Sequence, residues 1–299
     1  MKNKKSIILV ALDFSKCSEN ALDYTIKSYR EYNAKIVLVH AIQENYTEPS
    51  IKKLIDKDKK KTKENISKKL EDILLKKLKK TSSRCEYEII TEFGPPLETI
   101  LKTIRKVKPF FVIIGAKKTI GFMQRFFRND TIKVAKQTKF PVVIIPEDAH
   151  YKKIKRITFA TNYNLSDIKS IKNLAEQAKP YNIEIIVLHI SDGEFDIEFE
   201  DLMINDFNKK VSKRVHYKNI SYRIIEGDNI DEIIKHYLTQ KNTELFAFAT
   251  CINNGRHLDL LENRVSKIIP QSPIPLMAYH YKGEKDFLYT KKIKHERAL

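Results

Sequence analysis

Four places in the first half of the chain carry residue types that could bind a charged ligand, and each follows a short apolar run. Asp13 comes after the first run, His40 ends the second, and Gly94 and Gly115 follow the third and fourth. The segment that begins at Gly115 reads GAKKTIGFMQRFFRNDT, and a helix is predicted to start near Asn129. Glycines and free amides at the start of a helix favour the binding of an anion.

Some of these residues also have a purely structural interpretation. Asp13 could cap the helix that follows it through Ser15 or neighbouring amides, and Ser18 is a predicted N-cap of that helix. His40 and its counterpart His189 end strands, where a polar residue often meets solvent. Neither histidine belongs to a recognised base–nucleophile motif in the sequence, so catalysis by a histidine base is not predicted.

Motifs of the common α/β enzymes are missing from the sequence. The seven glycines never form the P-loop G-x-x-x-x-G-K-[ST], and the turn after the first apolar run, ALDFSKCSEN, contains no glycine of a Rossmann G-x-G-x-x-G. A G-x-S-x-G elbow is absent as well. These absences argue against P-loop phosphoryl transfer, hydride transfer and the usual α/β hydrolase chemistry.

The elements that would position these residues alternate between short β-rich runs and longer amphipathic stretches. This pattern predicts a parallel sheet with helices on both faces, in which ligands bind beyond the carboxyl ends of the strands. The predicted strands of the first half are 7–12, 35–40, 85–91, 110–115 and 141–145. The predicted helices are 18–32, a segment ending near residue 80, 96–107 and 129–138.

The second half repeats this order, with predicted strands at 156–161, 183–189, 220–225, 245–250 and 274–278. The matched landmarks are Asp13 with Asn162 and His40 with His189 at an offset of 149, Gly94 with Gly227 at 133, and Pro141 with Pro275 at 134. One insertion between the second and third strands of the first half explains the change of offset. The predicted domains are therefore 1–148 and 152–280, each with five strands and four helices, followed by a basic tail at 281–299.

Composition narrows the remaining classes. The three cysteines (Cys17, Cys85 and Cys251) and eight histidines are scattered, which predicts buried thiols in a reducing compartment and no metal site. No apolar run is long enough to span a membrane, and the N-terminus lacks a signal-peptide pattern, so a cytoplasmic location is expected. The net charge of +18 raises the question of nucleic acid. Lysines at 51–80 alternate with apolar residues at helical spacing, however, and this pattern favours an amphipathic helix with a solvated face.

Several of these features together resemble the universal stress protein family. They are a first strand ending before Asp13, a second strand ending VLVHA, the Gly94–Pro95 pair, the loop that opens at Gly115 and a closing strand KFPVVIIP. The second half, with FATNY, GDNI and IPLMAYH, resembles the divergent second copy of tandem members. The resemblance covers all but the tail. It implies two tandem doubly wound, five-stranded parallel-sheet domains, of the Rossmann-like and adenine nucleotide α-hydrolase-like type.

In nucleotide-binding members of that family, the loop after the fourth strand follows G-x2-G-x9-G-(S/T). Gly115 matches its first glycine, whereas Lys118, Arg128 and Asn129 replace the two later glycines and the hydroxyl residue. Lysine and arginine fill space where phosphates would lie, yet they could pair with phosphate directly. The resemblance assigns nucleotide contacts to three residues: Asp13 for the adenosine moiety, Val39 for the base and Gly115 for the phosphates. Gly121 is also retained, at a place where many members of the family have glycine.

The resemblance therefore implies a non-catalytic stress-response protein with a degenerate ATP site in the first domain and none in the second. ATP or another adenine nucleotide is the only cofactor it suggests, and no metal is expected. It also implies a dimer through the fifth strands, which the two halves of a tandem chain could form internally, or which could join two chains. The alternatives are a ligand-free scaffold for protein partners and, less favoured, a basic protein that binds nucleic acid or an anionic surface.

Overall fold

Residues 6–32, 34–43, 59–82, 84–117, 125–191, 193, 196–240, 243–252 and 272–282 are described by a computed structural model of the chain. The chain divides into two compact units, Met1–Tyr151 and Lys152–Leu299. Within the described ranges, no helix combines the length and the apolar character that crossing a bilayer requires.

The first unit is a five-stranded parallel sheet in the order β3-β2-β1-β4-β5. Its elements are β1 (Ser6–Ala11), α1 (Lys16–Tyr32), β2 (Ala34–Ile42), α2 (Lys59–Lys80), β3 (Tyr87–Phe93), α3 (Pro96–Val107), β4 (Phe111–Ala116), α4 (Arg125–Gln137) and β5 (Val142–Pro146). The chain runs outward from β1 to β3 and then returns to the other side of β1. The strand order therefore reverses between β1 and β4, and the crevice of such a sheet lies there.

The second unit has the same parallel order, β8-β7-β6-β9-β10. Its elements are β6 (Arg156–Ala160), α5 (Leu165–Ala178), a short 3-10 helix (Lys179–Tyr181), β7 (Glu184–Ser191), α6 (Ile197–Ser212), β8 (Ile220–Glu226), α7 (Ile230–Thr239), β9 (Leu245–Ile252) and β10 (Leu276–Lys282). The helix predicted between β9 and β10 falls on residues 253–271, outside the described residues.

Burial explains why these segments form these elements. The central strands β1, β2 and β4 are apolar runs whose side chains are mostly buried on both faces, as in a parallel sheet covered by helices on each side. In contrast, β3 and β8 contain charged and polar residues among the apolar ones and are only partly buried. On α2, Leu70, Leu74 and Leu78 form the buried stripe, and lysines occupy most of the remaining surface.

The repeat is visible in individual backbone hydrogen bonds. The Gly94 amide donates to the Ile42 carbonyl (3.0 Å), and the Gly227 amide donates to the Ser191 carbonyl (3.1 Å). The connection between β2 and β3 has 44 residues, and that between β7 and β8 has 28. The difference of 16 residues equals the change of offset from 149 to 133, so the insertion lies in the connection that contains α2.

The fold class predicted from sequence is confirmed, and each predicted strand is present with ends shifted by a few residues. The differences include two helix starts and the end of β10. Helix α1 begins at Lys16 rather than Ser18, and α4 begins at Arg125 rather than near Asn129. Strand β10 continues to Lys282, two residues into the segment predicted to be a tail, and the rest of that segment lies outside the described residues.

Two adjacent leucines on α2 test the packing of this long helix. Leu74 is fully buried, whereas Leu75 is 46% exposed. We expect Leu74→Ala to lower the free energy of unfolding by about 2–5 kcal/mol, because it leaves a cavity, and Leu75→Ala to change it by less than about 0.5 kcal/mol. Urea unfolding followed by far-ultraviolet circular dichroism measures both. Equal losses in the two variants would contradict the observed orientation of α2.

Candidate functional site

The turn between β1 and α1 carries Asp13 on its solvent side. Asp13 Oδ1 accepts hydrogen bonds from the Ser15 amide (3.0 Å) and the Ser15 hydroxyl (2.5 Å). Ser15 Oγ in turn accepts from the Ser18 amide at 3.2 Å, which makes Ser15 the N-cap of α1. The prediction that Ser18 is the cap was wrong, because the helix starts at Lys16 and Ser18 already belongs to its first turn. Asp13 thus orients the capping residue.

These hydrogen bonds keep the Asp13 carboxyl ionised. Burial of the group opposes ionisation, but hydrogen bonds from the Ser15 and Ser18 side chains and from backbone amides prevail, and the pKa of Asp13 lies below its ordinary value. The residue nevertheless remains exposed. A negative charge is therefore accessible to a ligand hydroxyl or cation at the end of β1.

Both backbone groups of Leu12, the residue that follows β1, form hydrogen bonds with residues of β2. We call this arrangement the strand-end clamp. The Leu12 amide donates to the Val39 carbonyl at 2.9 Å, and His40 Nδ1 lies 2.7 Å from the Leu12 carbonyl oxygen. Because a carbonyl can only accept, His40 Nδ1 carries the proton and donates. The clamp fixes the place where the chain leaves the sheet, directly before Asp13.

An aromatic residue follows the clamp in a conformation that is uncommon for non-glycine residues. Phe14 has φ +63°, and its ring lies 4.7 Å from the His40 ring between centroids. The Lys69 ammonium from α2 lies 4.5 Å from the centroid of the Phe14 ring, within the range of a cation–π interaction. Phe14 thus connects the β1–α1 turn to both β2 and α2.

Val39, the residue predicted to meet a base, lies inside the sheet. Its side chain is 1% exposed, and its carbonyl accepts the Leu12 amide. The contact of Val39 with a base stays a prediction, and it would have to involve the backbone.

Gly115, near the end of β4, allows α1 to approach the sheet closely. A Cβ at this position would lie 2.3 Å from the Cys17 carbonyl oxygen and 2.7 Å from the Ser18 amide nitrogen. Since these neighbours are backbone atoms, they could not move aside as a side chain would. Glycine is therefore required here for packing, whether or not a phosphate binds.

The rest of the predicted phosphate loop is only partly described. Lys118 and Gly121 lie outside the described residues. Arg128 and Asn129 belong to the first turns of α4 and not to a loop before it, which corrects the prediction that the helix starts near Asn129. No glycine at these two positions interrupts the helix, so it extends back to Arg125.

The second unit repeats the strand-end clamp. The Thr161 amide donates to the Leu188 carbonyl at 2.9 Å, and His189 Nδ1 donates to the Thr161 carbonyl at 2.9 Å. Tyr163 takes the place of Phe14, with φ +59° and its ring stacked on that of His189 at 4.2 Å. Offsets of 149 relate all of these residues to those of the first unit.

The carboxylate of the second unit occupies a different position. Asn162 stands where the first unit has Asp13, and the acid is instead Asp167 on α5, which is 4% exposed. Asp167 Oδ2 accepts from the Thr161 hydroxyl (2.7 Å) and from the amides of Asn162 and Asn164 (3.3 Å each). Asp167 also forms a capping box with Asn164. This carboxylate is used for internal hydrogen bonds and is not presented to solvent.

A second buried acid lies at the end of β7. Glu200 from α6 is 3% exposed; its Oε1 accepts from the Ser191 hydroxyl at 2.8 Å, and its Oε2 lies 3.4 Å from His189 Nε2. His189 Nδ1 already donates to Thr161, so the contact with Glu200 is attractive only when a proton lies between the two groups. Burial opposes ionisation of Glu200, but the hydrogen bonds from His189 and Ser191 prevail and lower its pKa.

This cluster does not have the geometry of a catalytic triad. In a triad the imidazole lies between the hydroxyl and the acid, whereas here Glu200 lies between Ser191 and His189. Burial also raises the pKa of Cys17, and raises that of Cys85 to about 11, so neither thiol is an activated nucleophile. No cluster of potential metal ligands occurs among the residues that the structure describes.

Sequence reasoning located the carboxyl edge of the first unit but missed the polar residues contributed by helices. Lys69 and Glu200 lie in ordinary amphipathic stretches and carry no motif, whereas the spacing of Asn164 and Asp167 is that of a capping box and was an available signal. The histidines at an offset of 149 were the available signal for the clamp, because their recurrence at strand ends pointed to a shared role.

The buried Glu200 carboxylate makes stability depend on pH. Its pKa is below the ordinary 4.5, so it contributes stability above that pH and loses it as the pH falls through the folded-state pKa. We expect the wild type to lose more stability between about pH 7 and pH 4 than Glu200→Gln does. Urea unfolding at both pH values measures the difference. Glu198→Gln, at an exposed position on the same helix, should keep the wild-type pH dependence; an unchanged pH dependence in Glu200→Gln would contradict the role of the carboxylate.

Comparisons with known proteins bear on this fold. The model of the universal stress protein family matches residues 6–146, which run from β1 to the end of β5. No curated protein sequence matches the chain.

Some solved structures match over nearly the whole chain, and others match over about half of it. A universal stress protein from Archaeoglobus fulgidus has a TM-score of 0.69 at 16% identity, with 93% of this chain and 99% of that chain covered. A protein assigned to the same family from Pseudomonas aeruginosa has a TM-score of 0.56 at 10% identity, with 93% and 94% covered. A family protein from Arabidopsis thaliana with AMP bound matches 47% of this chain and 91% of its own, at 18% identity and a TM-score of 0.33.

At these identities the two structures that cover nearly the whole chain show the fold, and the family model supplies the assignment for the first unit. The first unit is thus a universal stress protein domain.

Proposed function

We propose that the chain is a non-catalytic, cytoplasmic stress-response protein whose first unit binds an adenine nucleotide at the carboxyl ends of β1 and β4. The second unit has no such site. The observation that carries this proposal is that two otherwise matching turns each have one carboxylate, Asp13 or Asp167, and place it differently. In the first unit the acid is ionised and exposed, and in the second it is buried in internal hydrogen bonds.

Three features of the first unit support ligand binding at this edge. The strand order reverses between β1 and β4, the N-terminus of α1 packs directly against Gly115, and Asp13 presents a negative charge beside them. Helix amides favour the anionic part of a nucleotide, and a carboxylate suits its ribose hydroxyls. These features support a site in which Asp13 would contact the ribose and the start of α1 would face the phosphates.

The phosphate end of the site is the degenerate part. Lys118 and Arg128 stand where nucleotide-binding members have glycine, so cationic side chains would replace backbone amides as phosphate ligands. Such contacts depend more strongly on salt than amide contacts do, because charge pairing is screened. Weaker, salt-sensitive binding is therefore part of the proposal.

The second unit differs at the same edge in two ways. Asn162 removes the exposed charge, and Tyr163, His189 and Glu200 form a packed cluster at the end of β7. The main alternative for the whole chain is a scaffold that binds protein partners and no small ligand. Saturable nucleotide binding separates the two functions.

Calorimetric titration with ATP at two salt concentrations tests the proposal. We expect one site per chain, weaker binding at the higher salt concentration, and ATP recovered unchanged after the titration. Asp13→Ala should weaken binding at least about 10-fold, or about 1.4 kcal/mol. Asn162→Ala, at the matching position of the second unit, should leave affinity unchanged.

A further control separates ligand contact from helix capping. Ser15→Ala removes the N-cap that Asp13 orients and should lower the free energy of unfolding by about 0.5–2 kcal/mol while the chain keeps ATP affinity. If Ser15→Ala and Asp13→Ala weaken ATP binding equally, Asp13 acts through the turn. If the wild type shows no saturable binding, the scaffold function is the better one.

The family resemblance also implies pairing of domains through their fifth strands, and in this proposal the two units of one chain satisfy that contact. We expect residues 1–151 and 152–299, produced separately, to self-associate or to need each other for solubility. Analytical ultracentrifugation of the two fragments, alone and mixed, measures this. Two soluble, stable monomers that ignore each other when mixed would rule the pairing out.

A further inference from the structure

The positive charge of the chain is concentrated in its first unit. Residues 1–151 contain 32 basic and 18 acidic residues, a net charge of +14, whereas residues 152–299 contain 24 and 20, a net charge of +4. Half of the excess in the first unit comes from α2, where ten lysines stand against three acids. This distribution goes beyond what nucleotide binding at β1 and β4 requires.

The lysines of α2 fall into two groups. Four lysines contact their own unit. Three of them make cation–π contacts: Lys59 and Lys63 with the Phe93 ring and Lys69 with the Phe14 ring. Two form ion pairs: Lys63 with Glu92, and Lys77 with Glu19 and Asp23. The other six are exposed and make no ion pair or cation–π contact with the described residues: Lys60, Lys61, Lys68, Lys76, Lys79 and Lys80. Folding of the unit therefore uses four lysines and leaves six.

Helix α6 of the second unit provides an internal comparison. It connects the same two strands of the repeated fold as α2 does, yet it has four acids and two lysines. The fold does not need a basic helix at this position. A compositional bias of the gene would act on both halves, so it does not explain a net charge of +7 on one helix and −2 on the other.

We propose that the exposed face of α2 binds the phosphate backbone of nucleic acid without reading its sequence. From Lys61 to Lys79 this face extends about 27 Å, a length over which one strand of a B-form duplex presents about eight phosphates. Lysine supplies the point charges that such sequence-independent contacts use.

The basic surface continues beyond α2 to the adjacent edge of the sheet. A hydrogen bond from Lys63 is the main cause of a lowered pKa at Glu92 on β3, and the charges of Lys102 and Lys106 on α3 add to it. Glu92 is thus matched by cations of its own unit, and the six exposed lysines of the second group outnumber the two exposed acids of α2, Glu64 and Asp72. The carboxylates of this surface therefore offer little repulsion to an approaching polyanion.

The burial of α2 argues against a membrane surface as the partner. A helix that lies in a bilayer interface needs a free apolar face. The leucines at 70, 74 and 78 are buried in the unit, and Leu75 is the one large apolar side chain of α2 that is strongly exposed. Charge without an apolar face fits a polyanion in solution.

Fluorescence anisotropy with a labelled duplex of about 20 base pairs, measured over a series of salt concentrations, tests the proposal on the full chain. The variant Lys61→Gln/Lys68→Gln/Lys79→Gln removes three charges from the proposed surface with little change in helix propensity. The matched control, Lys169→Gln/Lys172→Gln/Lys179→Gln, removes three exposed charges from the second unit. Far-ultraviolet circular dichroism confirms that both variants are folded.

We expect the α2 variant to lose at least about 10-fold in affinity at low salt. The slope of log K against log salt should become shallower by two to three units, because each lost phosphate contact contributes about 0.9. The control variant should change both quantities much less, and ATP binding should be unaffected by the α2 variant.

Three results would overturn the proposal: no salt-dependent binding of the duplex, equal losses in the two triple variants, or binding to vesicles that contain phosphatidylserine without binding to DNA. Because ATP is titrated separately, failure here leaves the nucleotide proposal intact. Failure of ATP binding likewise leaves this proposal intact.

Discussion

The strand-end clamp is the interaction on which the rest of each unit depends. In each unit the residue after the first strand, Leu12 or Thr161, donates its amide to a carbonyl of the neighbouring strand. Its own carbonyl accepts a hydrogen bond from a histidine of that strand, His40 or His189. Both backbone groups of this residue are therefore hydrogen-bonded at the position where the chain leaves the sheet. An unpaired buried polar group there would lower the stability of the fold. The turn to the next helix begins directly after the strand-end clamp, and the histidine of each clamp contacts the aromatic ring of that turn.

Beyond the strand-end clamp that they share, the two units differ in the position of a carboxylate. An acid on the turn, as in the first unit, faces water and leaves the helix cap to a serine. An acid on the helix, as in the second, reaches back to the turn and binds three of its donors. The second arrangement satisfies more backbone groups, and the first leaves a charge available. The exchange of Asp13 for Asp167 thus separates a turn with an exposed charge from a turn whose carboxylate is bonded internally.

The fold could be predicted from the sequence because its signals are local and repeated. Ten apolar runs, two glycines and two prolines at nearly constant offsets define both sheets, and the connection with extra length was identified from the offsets alone. The candidate site was less predictable. Asp13 follows a strand and was visible, but Lys69 and Glu200 come from helices whose sequence pattern shows only which face is apolar. The way in which each of these helices crosses the sheet decides which of its polar residues contacts a strand end, and the sequence pattern does not show this. The start of α4 was misplaced because the family's loop pattern was carried over to a segment that lacks its glycines and forms helix instead.

The 16 extra residues lie in the crossover that contains α2, and they leave the strand pairings of the sheet unchanged, as the matching hydrogen bonds at Gly94 and Gly227 show. The corresponding helices α2 and α6 also differ in net charge, +7 against −2, while the strand order of the two units is the same. A surface crossover of this kind can therefore change in length and charge without a change in the sheet. It is the part of this fold that accepts added residues at the lowest cost to the core.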